Sequence, residues 1–93
     1  MTQLEEKTRR YETLLVEGID ATELLCDPET PLGEAANEFI TMAESYLEDG
    51  RYFMESDDYV NALAAFSYGH AWLDAGARIG LFSVPQETDL FSI

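Results

Sequence analysis

Chemistry in this chain would have to come from one narrow strip of polar side chains, Ser67, His70, Asp74 and Arg78. Steps of three, four and four place them within about 80° of arc on a helix, since each residue turns it by about 100°. His70–Asp74 and Asp74–Arg78 are then both i,i+4 neighbours, close enough to hydrogen-bond. Such a set can bind a small ligand or act on one. Asp74 would orient the His70 imidazole and the Arg78 guanidinium would receive an anion, with Tyr46, Tyr52 and Trp72 as walls. The same spacing also makes a charge ladder that lets an otherwise apolar helix meet water, or that fixes its register against a neighbour. Ion-pair networks serve structure more often than catalysis, so the structural reading takes precedence.

Other chemistries lack their residues. There is no glycine-flanked serine elbow, and a serine inside a helix bonds to the preceding turn. Gly69, Gly76 and Gly80 follow helical spacing, not the G-x-G-x-x-G of a phosphate loop. With one histidine and one cysteine, zinc would depend on carboxylates. The glutamates between 34 and 55 are not arranged as the alternating oxygen ligands of a calcium loop. No metal or other cofactor is expected. No arginine lies four to six residues before His70, as it does in helical ribonucleases of the HEPN type. Cys26 has no basic neighbour to activate it and no second cysteine to pair with, which fits a reducing cytoplasm.

The elements that would carry this strip are helical. Thr2-Gln3-Leu4-Glu5 has the S/T-x-x-E form of a capping box, and Leu4, Tyr11, Leu14, Leu15, Gly18, Thr22 and Leu25 recur at helical spacing. A first helix is expected over about residues 3–25. Thr30 followed by Pro31 reads as an N-cap and first helical position, opening a second helix over about 31–55. There Phe39, Tyr46 and Phe53 form one line and Ala36, Ala43 and Gly50 the next, with Glu34, Glu38, Glu44, Glu48 and Glu55 on the solvent side. Ser56-Asp57-Asp58 is a turn whose residues can all cap a third helix, over about 58–81.

That third helix has more apolar surface than an ordinary surface helix. Tyr59, Phe66, Leu73 and Gly80 are seven apart, as are Ala62, Gly69 and Gly76. A second line runs through Ala65, Tyr68, Trp72, Ala75, Ile79 and Phe82, and a surface helix needs little more than a stripe of about 100°. The helix is therefore expected at the centre, with Tyr68, Trp72, Ile79 and Phe82 left over as an interface. The tail after Pro85 ends in Leu90, Phe91 and Ile93, apolar residues that dock on Trp72 and Phe82 or on another molecule.

The composition sets the limits. Ninety-three residues make one domain, 1–93, and 46% hydrophobic content is too high for a disordered chain. Nineteen acidic residues against five basic ones give a net charge of −14, and Lys7 is the only lysine. This charge repels nucleic acid and anionic lipid, so neither is expected as a partner. The lysine-poor acidity resembles the surfaces of proteins from salt-loving cells. No apolar run reaches the roughly 20 residues of a membrane span, and the N-terminus lacks the apolar segment of a signal peptide.

Two resemblances add to these readings. Tyr46, Asp49, Gly50, Phe53, Asp58, Tyr59, Ala62, Phe66 and Gly69 are similar to the tetratricopeptide pattern, but in a single copy where about three are needed. The run from Tyr46 to Gly80, above all Tyr68-Gly69-His70-Ala71-Trp72-Leu73-Asp74-Ala75-Gly76-Ala77-Arg78, resembles the archaeal family called domain of unknown function 357. Its members end in a helix of the type Y-x-x-G-W-L-D-A-G. The resemblance covers most of the chain and implies an up-and-down three-helix bundle in an archaeal cytoplasm. It implies no activity and supplies no site residues. The expected protein is thus an all-α, antiparallel three-helix bundle with a short apolar tail. Its expected role is non-catalytic, a protein-interaction or self-assembly module and a homodimer. The alternative is a pocket on His70, Asp74 and Arg78.

Overall fold

The computed structural model describes residues 2–83. In chain order these form α1 (Gln3–Ala21), a two-residue strand β1 (Glu23–Leu24), α2 (Pro31–Glu55), α3 (Tyr59–Arg78) and a second short strand β2 (Phe82–Ser83). The helices run up and down. α3 packs most extensively on α2 and next on α1, while α1 and α2 touch only sparsely. The helix with the widest apolar circumference therefore lies between the other two. The residues Leu90, Phe91 and Ile93 of the apolar tail lie outside the described part.

Each helix starts on a side chain that satisfies one of its free amides. The hydroxyl of Thr2 accepts from the Glu5 amide at 3.0 Å, and that of Thr30 from the Gly33 amide at 3.1 Å with Pro31 directly behind it. At α3 it is Asp58 of the three turn residues that caps, accepting from the Asn61 amide at 3.1 Å. Such caps are worth about 1 kcal/mol each.

α2 and α3 end on the same device. The amide of Asp58 donates to the Phe53 carbonyl at 2.8 Å and that of Asp57 to Met54 at 3.0 Å. At the end of α3, Leu81 donates to Gly76 at 2.9 Å and Gly80 to Ala77 at 3.2 Å. These are the paired bonds of a Schellman motif, which needs a left-handed residue just past the helix. Gly80 supplies it with φ 82, but Asp57 adopts φ 59 with a side chain in the way. Gly80 is thus a helix stop, not the helical position its spacing indicated, and α3 closes at Arg78 rather than residue 81. Left-handed backbone costs a non-glycine residue about 1–2 kcal/mol. Asp57→Gly is therefore expected to stabilise the protein by about 1 kcal/mol, read as a higher urea midpoint at unchanged slope.

α1 is shorter than its periodicity indicated. At Thr22 the hydroxyl bonds the Ile19 carbonyl at 2.9 Å and the backbone turns extended, with ψ 139. The next residues leave the helix and pair antiparallel with β2, Glu23 with Ser83 and Leu24 with Phe82, and the Leu25 amide donates to Leu81 at 3.1 Å. Leu25 is exposed, not part of a helical stripe. The pairing partner lies at the other end of the described chain, beyond the reach of any local periodicity.

The core joins large side chains to bare backbone. Phe66, Phe82, Leu15 and Leu73 are fully buried, with Ala36, Ala43 and Ala62 between them. A Cβ on Gly50 would overlap the Phe66 ring, and one on Gly76 would overlap the Phe82 ring. At Gly69 a Cβ would come within 2.7 Å of Leu15 Cδ2. Two of these glycines interrupt α3 at a propensity cost of about 1 kcal/mol each, offset by the rings and methyls they admit.

Candidate functional site

The polar strip of α3 straddles the edge of the α1–α3 contact. His70 lies at its inner edge, 1% exposed, with Nε2 3.2 Å from the Tyr11 carbonyl oxygen and its ring edge-on to the Tyr11 ring. Ser67 is half-buried and its hydroxyl donates to Leu63 at 2.8 Å, the bond to the preceding turn expected of a helical serine. At the outer edge Arg78 Nε lies 2.9 Å from both oxygens of Asp74, with the arginine side chain 76% exposed. The residues proposed as one pocket thus face different media. His70 is enclosed by α1, while the Asp74–Arg78 pair stands in solvent, where such pairs contribute little.

The aromatic walls do not surround His70. Trp72 and Tyr68 stand two residues from His70, about 200° around the helix. Trp72 packs edge-on against Phe39 of α2 with centroids 5.0 Å apart, and Tyr68 tilts against Tyr46 at 5.5 Å. Tyr52 is exposed on α2 and touches Phe53. Among the described residues no group of three or more His, Cys, Asp or Glu side chains is placed to hold a metal ion.

Of the four residues expected at an interface, one is misplaced. Phe82 is fully buried, because the turn at Gly80 and the pairing with β1 carry its ring back onto Gly76. It is a core residue. Tyr68 is 59% and Ile79 66% exposed, and Trp72 is half-buried. The outward side of α3 continues through Val60, Ala64, Ala71 and Ala75, all exposed. Sequence reasoning missed Val60, Ala64 and Ala71. Their signal was available, since they fall on the same side of a helical wheel as Tyr68 and carry no charge.

On this side lies a shallow depression of about 300 Å³ lined by Phe39, Tyr68, Ala71, Trp72 and Ala75, without a single charged group. Depressions on the other helices differ in kind. One on α1 is lined by Gln3, Glu6, Lys7 and Arg10, and one between α1 and α2 by Arg9, Glu12, Arg51, Met54 and Glu55. Only Arg78 is charged among the exposed residues of α3, although charged residues make up 26% of the chain. Charge depletion with exposed aromatics is the composition of an interface centre.

Bundle and face together define a small acidic three-helix protein that leaves one apolar helix side open. The family model described as Protein of unknown function (DUF357) matches residues 10–82, and the chain belongs to that family. No curated protein and no solved structure matches the chain. No helix among the described residues is long and apolar enough to cross a membrane.

Proposed function

We propose that this protein is a non-catalytic interaction and self-assembly module that works through the outward side of α3, as a homodimer. The observation that carries the reading is the side formed by Tyr68, Ile79 and the alanines beside them, with Arg78 at its edge as the one exposed charge of α3, on a chain of net charge −14. Exposing it to water costs free energy that association recovers, and aromatic residues such as Tyr68 and Trp72 are the usual anchors of interfaces. The enzymatic alternative has no comparable support, because a ligand could reach His70 only by parting α1 from α3. The lysine-poor acidity and the family resemblance support a salt-rich archaeal cytoplasm as the setting.

Sedimentation equilibrium in molar KCl tests the module. The wild type is expected at twice the mass of one chain at tens of micromolar. Replacing Tyr68 and Ile79 together by serine should give one chain with unchanged helicity, since both residues are largely solvent-exposed in the single chain. A wild-type mass of one chain throughout would sink self-assembly.

A further inference from the structure

The exposed positions of α3 are arranged as a palindrome. Between Val60 and Ile79 the exposed residues are 60, 61, 64, 68, 71, 75, 78 and 79. They mirror one another about the midpoint between Gly69 and His70. A two-fold interface requires this kind of self-complementarity, in which residue i meets j and j meets i. The depression adds a second feature. Its α3 residues Tyr68, Ala71, Trp72 and Ala75 are spaced i, i+3, i+4 and i+7, the four corners of a hole that receives a knob from a facing helix. The mirror point brings the partner's Tyr68 opposite Ala71, at this hole.

We infer that two copies of this chain pack α3 against α3 antiparallel about a two-fold axis passing between Gly69 and His70, each Tyr68 seated in the other copy's depression. Large then meets small at the axis, Tyr68 on the partner's Ala71. Ala64 faces the partner's Ala75 and Val60 faces the partner's Ile79. Close approach at the alanines lets the tyrosine ring reach Phe39 on the far wall. The one exposed charge on the face, bonded through Nε to Asp74 of its own chain, also meets polar groups across the axis. Arg78 lies opposite the partner's Asn61, next to the partner's Asp58. In each chain the Asn61 Nδ2 donates to Asp58 Oδ2 at 2.7 Å. The amide oxygen is then what Asn61 offers a guanidinium, with the Asp58 carboxylate behind it. A parallel pairing would set Arg78 against Arg78 and Tyr68 against Tyr68. The antiparallel register thus follows from charge and volume alike, with charge setting orientation more than affinity. This inference rests on the self-assembly reading and specifies its geometry.

The test measures mass and distance on the same full-length protein with Cys26→Ser. A spin label at Val60 should report a separation of about 30 Å between copies, because the two sites are offset along the axis by 19 residues at 1.5 Å each. Mixing chains labelled at Val60 with chains labelled at Ile79 should add a separation below about 15 Å. Ala71→Glu, exposed in the single chain, should weaken the dimer at least about 100-fold by placing an unpaired carboxylate under Tyr68. A dimer with a short Val60–Val60 separation, or one indifferent to Ala71→Glu, overturns the inference and leaves self-assembly standing. A single-chain mass up to hundreds of micromolar in molar KCl overturns both.

Discussion

Phe66→Ala is expected to remove about 3–5 kcal/mol of stability, the usual loss when a buried aromatic is cut back to a methyl. Domains of this size hold only about 5–15 kcal/mol in all, so the variant should be partly unfolded at ambient temperature in dilute buffer. The site leaves little room for relaxation. Phe66 is fully buried and its ring lies directly on the bare backbone of Gly50 across the α2–α3 seam. Pressing on the same ring from the other side should also hurt. Gly50→Ala gains about 1 kcal/mol of helix propensity but forces the ring aside, for a net loss of about 1–2 kcal/mol. Combined with Phe66→Leu, which vacates the space, Gly50→Ala should cost less than it does alone. Urea melts of the four proteins give the coupling directly. Additive losses would mean that the ring does not rest on Gly50.

Raising KCl from 0.1 M to 2 M should lift the thermal midpoint by about 10–20 °C, corresponding to some 2–4 kcal/mol. Self-repulsion in a chain of net charge −14 is worse in the folded state, where the carboxylates are drawn together. Little inside the fold offsets it. Two ion pairs, Arg51–Glu12 and Arg78–Asp74, are present among the described residues, and both are on the surface. The remaining bases lie over tyrosine rings, Lys7 and Arg10 over Tyr11 and Arg9 over Tyr59. Screening should therefore act on many unpaired carboxylates at once. Chloride is the right anion for the test, because sulfate would strengthen apolar burial as well. A midpoint that stays put between the two concentrations would show that the carboxylates are too dispersed to oppose folding. Salt should favour the proposed dimer by the same screening.

How much of this was legible beforehand depended on the range of the forces involved. The boundaries of α2 came out as expected because Thr30-Pro31 and Ser56-Asp57-Asp58 act on their own neighbours. The small lines Ala36, Ala43, Gly50 and Ala62, Gly69, Gly76 were readable as seams, since a seven-residue repeat of small side chains brings two helices together wherever it occurs. The end of α1 was not readable, because Glu23 and Leu24 leave the helix to pair with residues from the far end of the described chain. Phe82 was misjudged for the same reason. Its position on the wheel of α3 pointed outward, but the chain had already turned at Gly80.

The polar strip shows the same limit at the level of the site. Spacing alone placed Ser67, His70, Asp74 and Arg78 within one arc of α3, and that arc is real. Which edge of it would be covered by α1 was a question of packing, and the answer put His70 inside against Tyr11 and left Arg78 outside. By itself the sequence determined the helices, their seams, the acidity and the excess of apolar surface on α3, all properties of short spacings or of bulk composition. The tertiary structure alone decided which part of that excess stays in water, because burial depends on where α1, α2 and the β1–β2 pair come to rest.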